Sequence, residues 1–144
     1  MINPQYMSGT GNKFLVSEYQ NTKTDIEIIS IVSDALFDID GVIFVEKIDS
    51  LTVKMHYYNN DGSTAELCVN GIRCVAKFAL DNSIVDSNEI TVVAPIGNIK
   101  TKVKENIVSL EVSIPTYEEN KLLIDGLECI KSNIGNPHLL VEVE

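Results

Sequence analysis

Between positions 69 and 81, Ile72, Val75, Ala76, Ala79 and Leu80 recur at the spacing of one helical face. Cys74 and Phe78 form a second apolar face one turn apart, and only Arg73, Lys77 and Asp81 share a polar stripe. A helix that is apolar around most of its girth must be enclosed on several sides. The segments around it read as strands: residues 13–18, 41–48, 51–58, 90–94, 98–104 and 108–114. In the last of these, Val108, Leu110, Val112 and Ile114 alternate with Ser109, Glu111 and Ser113, the period of a half-buried strand, and Pro115 ends it. Turn residues fall at Gly9-Thr10-Gly11-Asn12, Asp49-Ser50 and Glu105-Asn106. A second amphipathic helix is expected over residues 25–36, carried by Ile28, Ile29, Val32, Ala35 and Leu36 and capped by Thr24. Residues 122–134 show no clear period, and 139–144 look like a strand. The pattern predicts an α+β fold, mainly an antiparallel sheet curled around a central helix.

Composition narrows the function classes. The chain has 144 residues, 44% of them hydrophobic, which suits a packed core and not disorder. Eleven basic and 21 acidic side chains give a net charge of −10, with no basic patch, so nucleic acid and anionic membrane are not expected partners. No segment approaches the roughly 20 apolar residues of a membrane helix. Residues 1–16 carry no apolar run behind a basic start, so no leader is expected. The three cysteines form no CxxC pair, and His56 and His138 lack metal-ligand spacing, so neither a disulfide framework nor a metal site is expected. The reducing cytoplasm is the expected location.

The segment richest in chemistry is Asn59-Asn60-Asp61-Gly62-Ser63, followed by Glu66-Leu67-Cys68-Val69-Asn70-Gly71-Ile72-Arg73-Cys74. It reads as a polar turn, a cysteine, a polar pair and the first turn of a helix. Unpaired amides and the positive end of a helix dipole both favour thiolate over thiol, so Cys68 is expected to be acidified. Three roles suit it: nucleophile, general acid/base, or simply a small buried apolar residue. Asn12 and Asn59 also fit turns, Asn136 precedes a proline in a common turn pair, and Cys74, Cys129, Phe14 and Phe44 read as core.

Four places resemble the diaminopimelate epimerase family. Gly9-Thr10-Gly11-Asn12-Lys13-Phe14 is similar to its GxGNxF element, and Asp40-Gly41 with Val42-Ile43-Phe44-Val45-Glu46 to its DG-apolar-E strand. Tyr58 to Ser63 and Ala65 to Cys74 resemble its FNADGSxAEMCGNGIRC signature, and Gly135-Asn136-Pro137-His138 resembles its GNPH element. The third match is long and specific; the others count through their order. The resemblance implies two pseudo-symmetric domains, each with a sheet around a central helix, and a small amino-acid substrate between them. It implies no pyridoxal phosphate, no metal and no other cofactor. It implies two cysteines facing the substrate α-carbon, one removing the α-proton and the other returning one, converting LL-diaminopimelate to the meso form. Carried over by position, Cys68 is the catalytic acid/base. The amides of Val69 and Asn70 hold the substrate carboxylate, Asn12, Asn59 and Asn136 bind substrate, and His138 tunes cysteine acidity.

Two departures bear on that reading. Val69 stands where the family has glycine, and Leu36-Phe37-Asp38 where it has Gly-Ile-Gly. The family is also roughly twice as long. The expected organisation is therefore an epimerase-like domain over 1–116, complete or nearly so, and the beginning of a truncated second domain over 117–144. Neither Cys74 nor Cys129 resembles the second catalytic cysteine. The chain is thus expected to work with a complementary C-terminal half or as a homodimer. The rival readings are an inactive half-domain serving as a binding module, or a related racemase with another substrate.

Overall fold

The helix α1 (Val69–Asp81) is the element around which the first unit is built. Gly71, Ile72, Cys74, Val75, Ala76, Phe78 and Ala79 are all buried along it, which accounts for both apolar faces of the sequence pattern. Burial of side chains the size of Ile72 and Phe78 contributes about 1.5–3 kcal/mol each. The computed structural model describes residues 3–20, 27, 38–64, 68–135 and 137–141. Apart from Glu27, the helix expected over 25–36 lies outside the described residues.

Seven strands wrap α1, and their order in the sheet is their order in the chain. They are β1 (Gln5–Gly9), β2 (Asn12–Glu18), β3 (Gly41–Lys47), β4 (Thr52–Asn59), β5 (Glu89–Ala94), β6 (Gly97–Lys104) and β7 (Ile107–Leu110). Pairing is antiparallel except between β2 and β3 and between β4 and β5. These two parallel pairs fall where the chain makes a long crossover, and the second crossover carries α1 itself. Strand periodicity alone does not signal them, because it reports faces and not direction.

The inward faces of the strands supply the other half of the core. Phe14, Val16, Ile43, Val45, Val53, Met55, Ile90, Val92, Ile99 and Val103 cluster with Ile72, Val75, Phe78 and Ala79. Thr101, a buried polar residue of this sheet, donates its hydroxyl to the Ile90 carbonyl at 2.8 Å. A smaller cluster of Ile39, Val42 and Phe44, with Leu15, Tyr19 and Tyr58, occupies the other face of β3. Phe14 and Phe44 are therefore packing residues, as expected.

The expected strand over 108–114 is shorter than its alternation suggests. Pairing with β6 ends at Leu110, and Val112 and Ile114 are 44% and 87% exposed. Alternation marks an extended chain, but it creates no neighbour, and here the chain leaves the sheet. The chain divides into two compact units at Glu111–Val112. The second unit holds β8 (Thr116–Tyr117), β9 (Leu122–Ile124), β10 (Leu127–Asn133) and β11 (Pro137–Val141), with β10 pairing all three others. The aperiodic 122–134 segment is thus a hairpin. Its signal is the Asp125-Gly126 pair, both at positive φ, as a two-residue hairpin turn demands.

The far end of α1 is closed by hydrogen bonds in two layers. Ile84 donates to the Ala79 carbonyl at 2.9 Å and Ser83 to the Leu80 carbonyl at 3.1 Å. The Asn82 side-chain amide donates to the Phe78 carbonyl at 2.9 Å. This closure puts Ser83 at φ 54, a position that glycine occupies with less strain. Ser83→Gly is expected to stabilise the protein by about 0.5–1 kcal/mol after the extra unfolded-state entropy of glycine is allowed for, read as a higher urea midpoint at unchanged slope.

Candidate active site

Cys68 is the N-cap of α1. Its backbone is extended, at φ −128 and ψ 87, and its Sγ accepts the Gly71 N–H at 3.3 Å. The first intrahelical bond runs from the Ile72 N–H to the Cys68 carbonyl at 2.9 Å. The amides of Val69 and Asn70 precede that ladder and have no acceptor within the helix. Gly71 is needed because the helix end sits close on the sheet. A Cβ there would lie 2.8 Å from Met55 Cε and 3.1 Å from both Cys68 Sγ and Ile43 Cδ1.

This geometry corrects the expectation of an acidified thiol. The Cys68 thiol is pushed above its ordinary range, mainly by burial. The Gly71 amide pulls it down, the Asp40 carboxylate pushes it up again, and the Asn70 amide pulls it down. The helix start is present, but two amides do not outweigh desolvation plus a neighbouring negative charge. Cys68 therefore rests as a thiol near neutral pH.

Asp40 is held by two donors. Its Oδ2 accepts the Lys13 backbone N–H at 2.8 Å and the Asn12 side-chain amide at 3.2 Å. The Lys13 N–H and then the Asn12 amide keep this carboxyl below its usual range. From Asn12 a chain of side chains runs back to the helix. Asn70 Nδ2 donates to Asn12 Oδ1 at 2.8 Å, and Arg73 Nη1 donates to Asn70 Oδ1 at 2.8 Å and to Thr10 Oγ1 at 3.1 Å.

A second chain organises the turn after β4. Tyr57 OH donates to Asn59 Oδ1 at 2.6 Å, Asn59 Nδ2 to Ser63 Oγ at 2.8 Å, and Ser63 Oγ to Asp61 Oδ1 at 2.6 Å. The Ser63 side chain and then its N–H lower the Asp61 carboxyl. The Tyr57 phenol is pushed up to about 12, first by burial and then by Cys68, Asp40 and Asp61, so it stays a donor.

The structure thus gathers Asn12, Val69 and Asn70 with Cys68 at the N-terminal end of α1, and places Asn59 at the end of β4. Val69 packs against the core from the first helical turn, and it is not among the residues at positive φ. The position does not demand glycine's backbone freedom in this chain. Cys74 is 3% exposed with its thiol pushed up to about 11 by burial, and Cys129 is 2% exposed on β10. His138 lies on β11 in the second unit, opposite Ser132. Asn136 is outside the described residues, as are Glu66 and Leu67. No group of His, Cys, Asp or Glu fit to hold a metal occurs among the described residues.

Asp40, Tyr57, Arg73 and Thr10 were not singled out by sequence reasoning. Tyr57 had a signal, its inward register with Val53 and Met55 on β4. Arg73 showed only as part of a polar stripe, and nothing local marked the carboxylate of Asp40 as a neighbour of a thiol 28 positions away.

Comparison with known proteins identifies the family and the fold. The sequence pattern of the family described as diaminopimelate epimerase matches residues 5–114. The diaminopimelate epimerase of Thermotoga maritima is 36% identical over 141 residues, a match covering 95% of this chain and 57% of that protein. That of Agathobacter rectalis is 42% identical over 172 aligned positions, covering 96% and 60%. The chain therefore spans somewhat under two thirds of the length of these relatives. Among solved structures, a phenazine biosynthesis protein of the PhzF family from Bacillus anthracis superposes with a TM-score of 0.70 at 16% identity, covering 96% of this chain and 54% of that one. A probable proline racemase from Agrobacterium radiobacter gives 0.63 at 15%, covering 97% and 52%. At those identities the two structures establish the fold, a sheet curled around one helix.

The charge of Asp40 opposes ionisation of Cys68, so removing it should make the thiol more acidic. In Asp40→Asn the amide oxygen still accepts from Lys13. The pH midpoint of Cys68 alkylation by iodoacetamide, followed peptide by peptide in a mass spectrometer, is expected to move down. A midpoint that stays in place would show that the thiol does not feel Asp40.

Proposed function

Because the chain belongs to the diaminopimelate epimerase family, we propose that it provides one half-site of a cofactor-independent amino-acid epimerase that interconverts LL- and meso-diaminopimelate. The observation that carries this reading is a titratable thiol at a helix N-terminus beside amides with no acceptor in the helix. An α-amino acid offers the matching groups: a carboxylate for the Val69 and Asn70 amides, and a Cα–H for the thiolate of Cys68. The α-proton is very weakly acidic, and the charge left on its removal spreads into the carboxylate. Donors already aimed at that carboxylate stabilise the developing charge without reorganising.

The raised thiol sharpens the role of Cys68. A thiolate that forms reluctantly is a stronger base once formed, and the resting thiol is ready to deliver a proton. Inversion requires a second group on the opposite face of the α-carbon. Cys74 and Cys129 are buried and ill suited to it, so the proposal places that group on a complementary half-site. Asn12 and Asn59 would bind substrate from their hydrogen-bonded positions. Asn136 and His138 would contribute as substrate ligand and acidity modulator.

One thiol acting alone has its own signature. Incubated with LL-diaminopimelate in deuterated water, the chain is expected to exchange the α-proton with retention of configuration. Cys68 takes the proton, exchanges it with solvent and returns a deuteron to the same face. Cys68→Ala should abolish exchange, whereas Cys74→Ala should keep it. Absence of deuterium in the product, or exchange that survives in Cys68→Ala, would sink the assignment.

The pH profile follows from the direction of the shift. The reactive form is the thiolate, its fraction grows as pH climbs toward a raised pKa, and the exchange rate should still be rising where an ordinary thiol has finished titrating. A plateau already reached near neutrality would contradict the raised thiol of Cys68.

A further inference from the structure

We infer that Arg73 is a positioning residue, whose guanidinium fixes the orientation of the Asn70 side-chain amide and, through it, that of Asn12. The inference rests on the reading above for its ligand, but not for its hydrogen bonds. An asparagine amide presents oxygen on one side and nitrogen on the other, and an isolated one turns over at little cost. Here both ends of the chain are chemically one-sided. A guanidinium only donates and an ionised carboxylate only accepts. Arg73 therefore demands Oδ1 of Asn70, which turns Nδ2 of Asn70 toward Asn12. That demands Oδ1 of Asn12 and turns its Nδ2 toward Asp40. Reversing either amide would set nitrogen against guanidinium or oxygen against carboxylate. With both orientations fixed, each amide keeps one N–H without an acceptor among the described residues, available to a ligand.

The surroundings of Arg73 are built to hold it. The Oγ1 of Thr10 receives the same Nη1, and Thr10 holds φ 49, which a β-branched residue rarely adopts. The neighbouring Gly9 lets β1 run against the helix start: a Cβ there would lie 2.5 Å from the Asn70 carbonyl oxygen. The strained turn, the close approach and the guanidinium all converge on Asn70.

The test is hydrogen exchange of side-chain amides by NMR on the full chain carrying nitrogen-15 asparagine. In Arg73→Met the Asn70 and Asn12 amides are expected to exchange about tenfold faster or more, as for loss of a charge-assisted hydrogen bond. The Asn59 amide, which donates to Ser63 and accepts from Tyr57, should keep its rate. Arg73→Lys retains the charge but not the planar fork of donors and should restore part of the protection. An Asn12 amide that is unaffected in Arg73→Met, or an Asn59 amide that loosens equally, would overturn the inference.

Binding of LL-diaminopimelate gives the second readout, with about tenfold weaker affinity expected in Arg73→Met and partial recovery in Arg73→Lys. Loosened amides with unchanged affinity would overturn the positioning role. If the unaltered chain binds no diaminopimelate, the functional reading falls, and amide exchange alone decides the inference.

Discussion

A helix enclosed by a sheet has to settle the backbone groups at both of its ends, and most of this structure follows from how unequally α1 does so. Its C-terminal end is closed by Ser83, Ile84 and the Asn82 side chain. Its N-terminal end has one soft acceptor, the sulfur of Cys68, facing the Gly71 and Asn70 amides. A serine or aspartate would cap more strongly. Choosing sulfur leaves the start of the helix less fully satisfied than its C-terminal end, with the positive end of its dipole facing outward.

Three further features serve the same end. Gly71 allows the helix start to descend onto Met55 and Ile43, and Gly9 allows β1 to approach from the other side. Burial gained this way is what raises the thiol, so seating the helix and tuning the cysteine are one event. The two side-chain chains, one through Asn70 and Asn12 and one through Asn59 and Ser63, both end on carboxylates. Each begins at a group that donates throughout the physiological range, a guanidinium in one and a phenol pushed up to about 12 in the other. The polar rim is thereby ordered before any ligand arrives.

The helix, its double apolar face and five of the seven strands of the first sheet were legible in the sequence to within a few residues, because burial on one or more faces imposes a period. Strand β1 was not, since Gln5, Tyr6, Met7 and Ser8 mix polarity on an edge that needs only its turn, Thr10-Gly11, to be placed. The extent of β7 was overestimated because Val112 and Ile114 alternate without a neighbour to cover them. At the site, Cys68, Asn12, Asn59 and Asn70 were legible through their motif. The state of the thiol was not. It depends on how deeply the sulfur is buried and on the carboxylate of Asp40 at the start of β3, and neither quantity is local in sequence.

The agreement between strand order and chain order has a consequence for how the molecule comes into being. In the seven-stranded sheet each strand after β1 can pair with an edge already made, and no strand must be inserted between two others. The helix is the exception in timing. It emerges after β4 but before β5, β6 and β7, three of the strands that cover it. During that interval Phe78 and Cys74 lack part of their eventual shelter, and the growing sheet carries an apolar surface awaiting its last three strands. Until residues 82 to 110 have joined the sheet, the chain is open to misassociation and to oxidation of a sulfur that the finished protein hides.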